Sequence, residues 1–588
     1  MKKNSALAFV TLVVVLLGSL LVFVLYPVFK SSSPSLSLLY EGTGAPYDQN
    51  WFFPNETAHF SFNASGLKGL TLSFYLMAYG GNYSEKIYSV TILSNTEIVN
   101  FSLSLSSFPP RLYYLQAKAG SYETNGSMPN GKYSYEICPW LVGIIRPFSF
   151  REWTVGLPSG AVPYGLGTEV EVAFLSTAYR KSELDVELSL MRYAGIHWVR
   201  LPVVWPEIER TRGNYNFSEV LTWARALNAS GLDPIYTLTW PNPLYNGGTY
   251  GTCPPNCGSP PCTAAARFAF ANFAGNVTRV LYPLSPNAVY EIWNEPDIDV
   301  VGSWGGPVNV TDYSLMAAQS VMKIEEASGG RALIAAPALS EGGFSDATAA
   351  GSFLSAFMEI MAQRGVLNYL SAISVHPYQN LPEDAINNYR YIEAFYGKPV
   401  IETEWGYTNT PGMFYANLLD QARYDSRIFL VNLMSKVPIT IIYYWNSGPS
   451  SSVPMDNFGI IQDTHESLKD DGGTLEGTSV YFIKPSYYAL YETTYSLNGY
   501  TFSQRINATP YLPSYDSSFA SSVYLLKFVN GSSVKYALWS AEGPITLNFP
   551  ASMFGSSSIT VTTIFGSSTT VRGHSFEVKA SGTPEFIS

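Results

Sequence analysis

Two periodicities divide the chain. From residue 37 to 155, apolar and polar positions alternate in runs such as "AHFSFNA", "LTLSFYLMAY" and "IVNFSLSLS", separated by Gly, Asn and Pro. A period of two without helical spacing predicts a β-sandwich. From 156 to 496 helix-length amphipathic runs alternate with short apolar ones. "KSELDVELSLMRYAG" precedes "HWVRLPVVW", "FSEVLTWARALNASG" precedes "DPIYTLTW", and "AAARFAFANFAGNVTRVL" precedes "AVYEIWNEP". The alternation continues through "ALIAAPALS", "AISVHPY", "PVIETEW" and "ITIIYYWN" to a last helix, "SYYALYETTYSL". With "PYGLGTEVEVAF" as first strand, this gives eight strands and eight helices, the pattern of a (β/α)8 TIM barrel. From 497 to 588 the period of two returns and predicts a second β-sandwich domain.

The N-terminus adds a different signal. Residues 5–29 carry no charge, long enough for a transmembrane helix, so residues 1–30 read as a signal anchor and "SSSPSL", 31–36, as a linker. Lys2 and Lys3 would stay inside, placing the rest at the cell surface; a secreted form is the alternative. Eleven N-x-S/T sequons, among them Asn55, Asn216 and Asn530, fit an external glycoprotein. So do the four cysteines: Cys138, Cys253, Cys257 and Cys262 form disulfides in an oxidising compartment, with three connectivities open. A zinc site is disfavoured, because "CPPNCGSPPC" spaces its thiols as C-x3-C-x4-C with no histidine nearby.

Composition narrows the partners. Charged residues are 13% of the 588, about half the usual share. The net charge of −11, with no basic cluster beyond Lys2-Lys3, argues against nucleic acid. No dinucleotide fingerprint, P-loop, H-E-x-x-H or G-x-S-x-G pattern occurs, so neither cofactor nor metal is expected.

In a barrel the chemistry gathers at the C-terminal ends of the strands. Strand 2 brings Arg200 and Trp205, strand 3 Trp240, strand 4 Asn294 and Glu295, strand 6 His376 and Tyr378, strand 7 Glu404, and strand 8 Trp445. Two carboxylates amid aromatic plates and hydrogen-bond donors suit a sugar, with its apolar faces and rim of hydroxyls. Paired carboxylates are also what glycoside hydrolysis requires.

The motifs carry a resemblance. "IWNEPD" resembles the strand-4 acid/base motif of clan A glycoside hydrolases, and "ETEWG" their strand-7 nucleophile motif. "WVRLPVVWPEIE", "RGNYNF" and "SVHPY" resemble strands 2 and 6 of families 39 and 5, and "KPSYYALY" followed by a β-domain resembles the family 39 layout. The resemblance implies a retaining enzyme with Glu404 as nucleophile and Glu295 as acid/base. It also implies Asn294 on the sugar 2-hydroxyl, Arg200 and Tyr378 keeping Glu404 ionised, and His376 orienting Glu295 or binding a hydroxyl. Trp445 would be the sugar platform, with Trp240 and Trp205 as further candidates.

Strand alternation puts Glu402 on the same inward face as Glu404, two residues deeper, buried and with Arg200 as candidate partner. Carbohydrate is the expected partner, through an extracellular β-glycosidase. The alternative is a non-catalytic carbohydrate-binding protein on a degenerate barrel.

Overall fold

A computed structural model describes residues 33–588 apart from 44–49, 126–139, 148–155, 171–180, 247–259, 301, 341–343, 345–346, 449–452, 464–480 and 514–518. The apolar N-terminal run, Cys138, Cys253 and Cys257 therefore lie outside the described residues. No helix among the described residues is long and apolar enough to cross a membrane. Cys262 is exposed and forms no disulfide among them.

The eight parallel strands of the barrel are β1 (Leu166–Glu169), β2 (Trp198–Val204), β3 (Asp233–Thr239), β4 (Val289–Ile292), β5 (Leu333–Ala335), β6 (Ile373–Val375), β7 (Val400–Trp405) and β8 (Thr440–Ile442). They run in ring order, with β1 bonded to both β2 and β8. Parallel bridges Ala335–Ala372 and Leu339–Val375 close the ring between β5 and β6. The helices are α1 (Lys181–Tyr193), α2 (Ser218–Ser230), α3 (Ala264–Leu281), α4 (Val310–Ser328), α5 (Ala349–Gln363), α6 (Ile386–Tyr396), α7 (Leu418–Met434) and α8 (Pro485–Leu497). Local chemistry starts several of them: the side chains of Thr263, Asn309, Thr348 and Asn417 accept from backbone N–H groups in the first turns of α3, α4, α5 and α7.

The barrel interior is filled from below by Trp198, Ile235, Val289, Ala335, Ala372, Ile401, Ile439 and Ile441. Gly167 on β1 makes room for this layer, since a Cβ there would lie 2.3 Å from Ile441 Cδ1 and 2.7 Å from Trp198 Cβ. Polar side chains can gather only above it, at the C-terminal mouth.

Two sheets precede the barrel and share one core, in which Phe60, Phe62 and Phe101 of one meet Phe74, Leu115 and Val142 of the other. The first strand of this unit starts at Ser35, inside the stretch read as a linker, because "SLSLLYEG" pairs with Thr57–Ser65. A six-stranded and a two-stranded sheet follow the barrel. Both flanking units are tied to it. Asn50 exchanges two hydrogen bonds with the backbone of Ile483, and Tyr488 of α8 donates to the Ile144 carbonyl. On the other side Trp539 donates to Glu383, which also binds Arg427 of α7.

Candidate active site

The ends of β3, β4 and β5 are bent by residues that rarely accept positive φ: Trp240 (75°), Trp293 (72°), Glu295 (42°) and Ala338 (55°). Such conformations cost on the order of 1–3 kcal/mol each and persist only when their surroundings hold them. At β4 the support is visible. Trp293 is buried and donates to the Ser303 carbonyl, while Glu295 N–H donates to the Ala338 carbonyl. The turn thereby brings Asn294 and Glu295, both half-buried, to the mouth.

Arg200 organises the floor of the site. Its Nε lies 2.8 Å from Glu291, its Nη1 2.6 Å from Glu169 and 2.8 Å from Glu404, and its Nη2 2.6 Å from the Asn294 amide oxygen. Burial works against the guanidinium charge, but the three carboxylates overcome it and hold the group protonated. Glu404 Oε1 accepts from the Tyr378 hydroxyl at 3.0 Å. Burial, and next the Glu404 charge, push the Tyr378 phenol well above its usual range, so it remains a donor.

Glu295 is held by two groups: the Ser303 hydroxyl donates to Oε2 at 2.8 Å, and His376 Nδ1 lies 3.1 Å from Oε1. His376 is wholly buried and its pKa is lowered, chiefly by burial, which keeps the ring neutral. The Glu295 pKa is raised. Burial is the main cause and the Glu291 charge adds to it; Ser303 and Arg200 act the other way. One oxygen of Glu295, one of Glu404 and a ring nitrogen of His376 lie within 4.8 Å of one another. These three are the group among the described residues that could converge on a cation. The Arg200 charge already bonded to Glu404 would oppose one.

The structure thus brings together Glu295, Glu404, Asn294, Arg200, His376 and Tyr378. It does not do so for two of the tryptophans. Trp445 is only 1% exposed and packs against Tyr487 of α8, and Trp205 is fully buried against Tyr245 and Phe273. An indole buried this completely offers no face to a sugar, so neither is a platform. Trp240 remains half-buried at the end of β3. The aromatic wall beside Tyr378 is instead formed by Phe414, Phe458, Tyr443 and Tyr444.

Glu402 departs from expectation most. It is buried, but it does not pair with Arg200 and does not share the inward face. Its carboxylate Oε2 meets Asn432 Nδ2 of α7 at 3.2 Å, in the helix layer. The reason is a β-bulge: Glu402 is opposite Thr440 and Trp405 opposite Ile442, so three steps on β7 match two on β8. A bulge shifts the phase of a strand and re-aims the residues beyond it.

Sequence reasoning also missed Glu169 and Glu291. Glu291 is two positions beyond interior Val289 on β4 and Glu169 ends β1 in register with Arg200, relations that the folded ring displays.

Comparisons with known proteins agree with this geometry. Residues 275–458, from within α3 to the segment that follows β8, match the family model described as glycosyl hydrolase catalytic core. A family 39 glycoside hydrolase from the gut symbiont Bacteroides cellulosilyticus WH2 shares the fold with a TM-score of 0.62 at 16% identity, over 94% of this chain and 99% of that one. A GH39 β-xylosidase from Caulobacter crescentus is more distant, at TM-score 0.48 and 13% identity over 74% of this chain and 98% of that one. No curated protein matches the sequence. The segment that matches a glycosyl hydrolase catalytic core holds both Glu295 and Glu404, at the ends of β4 and β7, and the chain shares its fold with a family 39 glycoside hydrolase.

Proposed function

We propose that the enzyme is a retaining β-glycosidase acting by double displacement. The observation that carries this is the approach of Glu295 and Glu404 to within 4.8 Å at the barrel mouth. Retaining pairs stand about 5–5.5 Å apart, whereas inverting pairs need about 6.5–9.5 Å to admit water between them.

In the first step Glu404 attacks the anomeric carbon as the bond to the leaving oxygen breaks, and Glu295 gives its proton to that oxygen. In the second, Glu295 takes a proton from water, the water attacks the same carbon, and Glu404 departs. Arg200 and Tyr378 hold Glu404 as an oriented carboxylate. Raised by burial, Glu295 keeps the proton the first step consumes. The Asn294 oxygen is taken by Arg200 and its amide nitrogen donates to the Gly302 carbonyl at 3.4 Å, which leaves the second amide N–H to reach a sugar hydroxyl. Trp240 is the candidate platform.

The enzyme works outside the cell, tethered by residues 1–30. The uncharged run 5–29 and the exposed sequons at Asn55, Asn82, Asn216, Asn228 and Asn530 support this placement.

The test is an NMR assay of the first-formed product anomer on a panel of aryl β-glycosides. Retention is expected, with Glu404→Ala inactive. An inverted product from the wild-type chain would refute the mechanism.

A further inference from the structure

The bulge in β7 poses a question of strand phase. Ile401 faces the barrel interior among the layer that fills it. Strict alternation from there would send Glu402 and Glu404 outward and Trp405 inward. The observed strand does otherwise: Glu402 lies outward against α7, Glu404 reaches Arg200 in the interior, and buried Trp405 stands opposite Ile442. The phase changes within the residues between Glu402 and Trp405, and the nucleophile is one of them.

Something must hold the strand in this phase, because an extra residue can slide along a strand unless both sides are pinned. Above the bulge the pins are Arg200 and Tyr378 on Glu404. Below it, Glu402 is wholly buried and accepts from Asn432 Nδ2, which also donates to Thr440 Oγ1 on β8 at 3.0 Å. Asn432 thus ties β7 to β8 at the register pair Glu402–Thr440, the last before the bulge. Burial holds the Glu402 pKa well above its usual value, and the Glu404 charge adds to this; opposing them are the Ile441 and Glu404 backbone N–H groups, which face its carboxyl.

We propose that the Glu402–Asn432 contact is a positioning device for the nucleophile, pinning β7 below its bulge and so fixing where Glu404 points. Glu402 does not touch the reacting atoms. This rests on Glu404 being the nucleophile, so the test must separate the two claims.

The experiment is a cycle on the full chain with an aryl β-glycoside, with fold checked by near-UV circular dichroism. Glu402→Gln keeps the shape and an oxygen that accepts from Asn432 Nδ2, and should stay within about threefold of wild type. Glu402→Leu should lower kcat about 100-fold with KM little changed, as expected for a nucleophile misplaced by about 1 Å. The same Leu substitution in a Glu404→Ala background should leave the azide-rescued rate unaltered, because azide is not attached to the strand. Asn432→Leu runs through the same cycle and replaces Glu402→Leu if that variant does not fold. Folded Leu variants with wild-type kcat would overturn the proposal. So would an equal loss in the azide-rescued background, or Glu402→Gln as inactive as Glu404→Ala. An active Glu404→Ala would instead remove the nucleophile assignment itself.

Discussion

Arg200 and Glu404 are joined by a 2.8 Å ion pair whose guanidinium nitrogen also serves Glu169 at 2.6 Å. With Glu291 on Nε, one cation is shared by three carboxylates in a site nearly closed to water. Glu404 therefore holds only a share of its counter-ion.

Removing that cation should be costly twice over. Arg200→Met should destabilise the fold by about 3–5 kcal/mol, because buried carboxylates lose their partner. Arg200→Lys keeps the charge but cannot address four groups with one ammonium, and kcat/KM should fall about 100-fold. Urea unfolding and steady-state kinetics measure the two effects. A Met variant within about 1 kcal/mol of wild type, no more than an exposed ion pair is worth, would show that Arg200 does not organise the site.

Ser303 offers a directional test of the acid/base. Its hydroxyl donates to Glu295 Oε2 and favours the charged form. Ser303→Ala should raise the Glu295 pKa further and move the alkaline limb of the kcat/KM profile to higher pH. A limb that stays put or moves down would argue that Glu295 is not the proton donor.

The tryptophans separate binding from packing. Trp445→Ala should cost about 3–5 kcal/mol of stability as a core truncation. Trp240→Ala should leave the urea midpoint nearly unchanged and raise KM. The reverse pattern would restore Trp445 as the platform.

These contrasts mark what the sequence could and could not convey. Alternation of period two and period 3.6 made the barrel and its flanking sheets legible, and the strand-end rule brought Glu295, Glu404, Arg200, His376 and Tyr378 to one mouth before any coordinates. A period says where a strand is but not where it bulges, and so Glu402 was placed on the wrong face. Nor does an aromatic at a strand end reveal whether a helix covers it, as α8 covers Trp445. Glu169 and Glu291 were hidden for a third reason: only the closed ring shows that β1, β2 and β4 aim at one guanidinium.

Several buried acids make stability depend on pH in a stated direction. Burial pushes Asp425 and Glu492 up to about 7, and Glu41 and Glu402 well above their ordinary value. A carboxyl with a raised folded-state pKa stabilises the fold when protonated, and that contribution is lost as pH rises from about 4 through the folded value. Two groups oppose this. Glu291, whose pKa the Arg200 charge lowers against burial, loses its contribution as pH falls below the carboxylate range, and His376, whose pKa burial lowers, costs stability as pH falls below about 6.5. The urea midpoint should therefore be higher near pH 5 than at pH 7.5, and Asp425→Asn should reduce the difference. A midpoint that rises towards pH 7.5 would contradict this.

The central claim is that Glu404 forms a covalent bond to the sugar. The most direct measurement is tandem mass spectrometry of the full chain after inactivation by an activated 2-deoxy-2-fluoro-β-glycoside, which slows the second step more than the first. The account predicts one sugar per chain, on Glu404 within "VIETEWGYT". A label on Glu402 or Glu295, or turnover of the fluorosugar with inversion and no adduct, would contradict it.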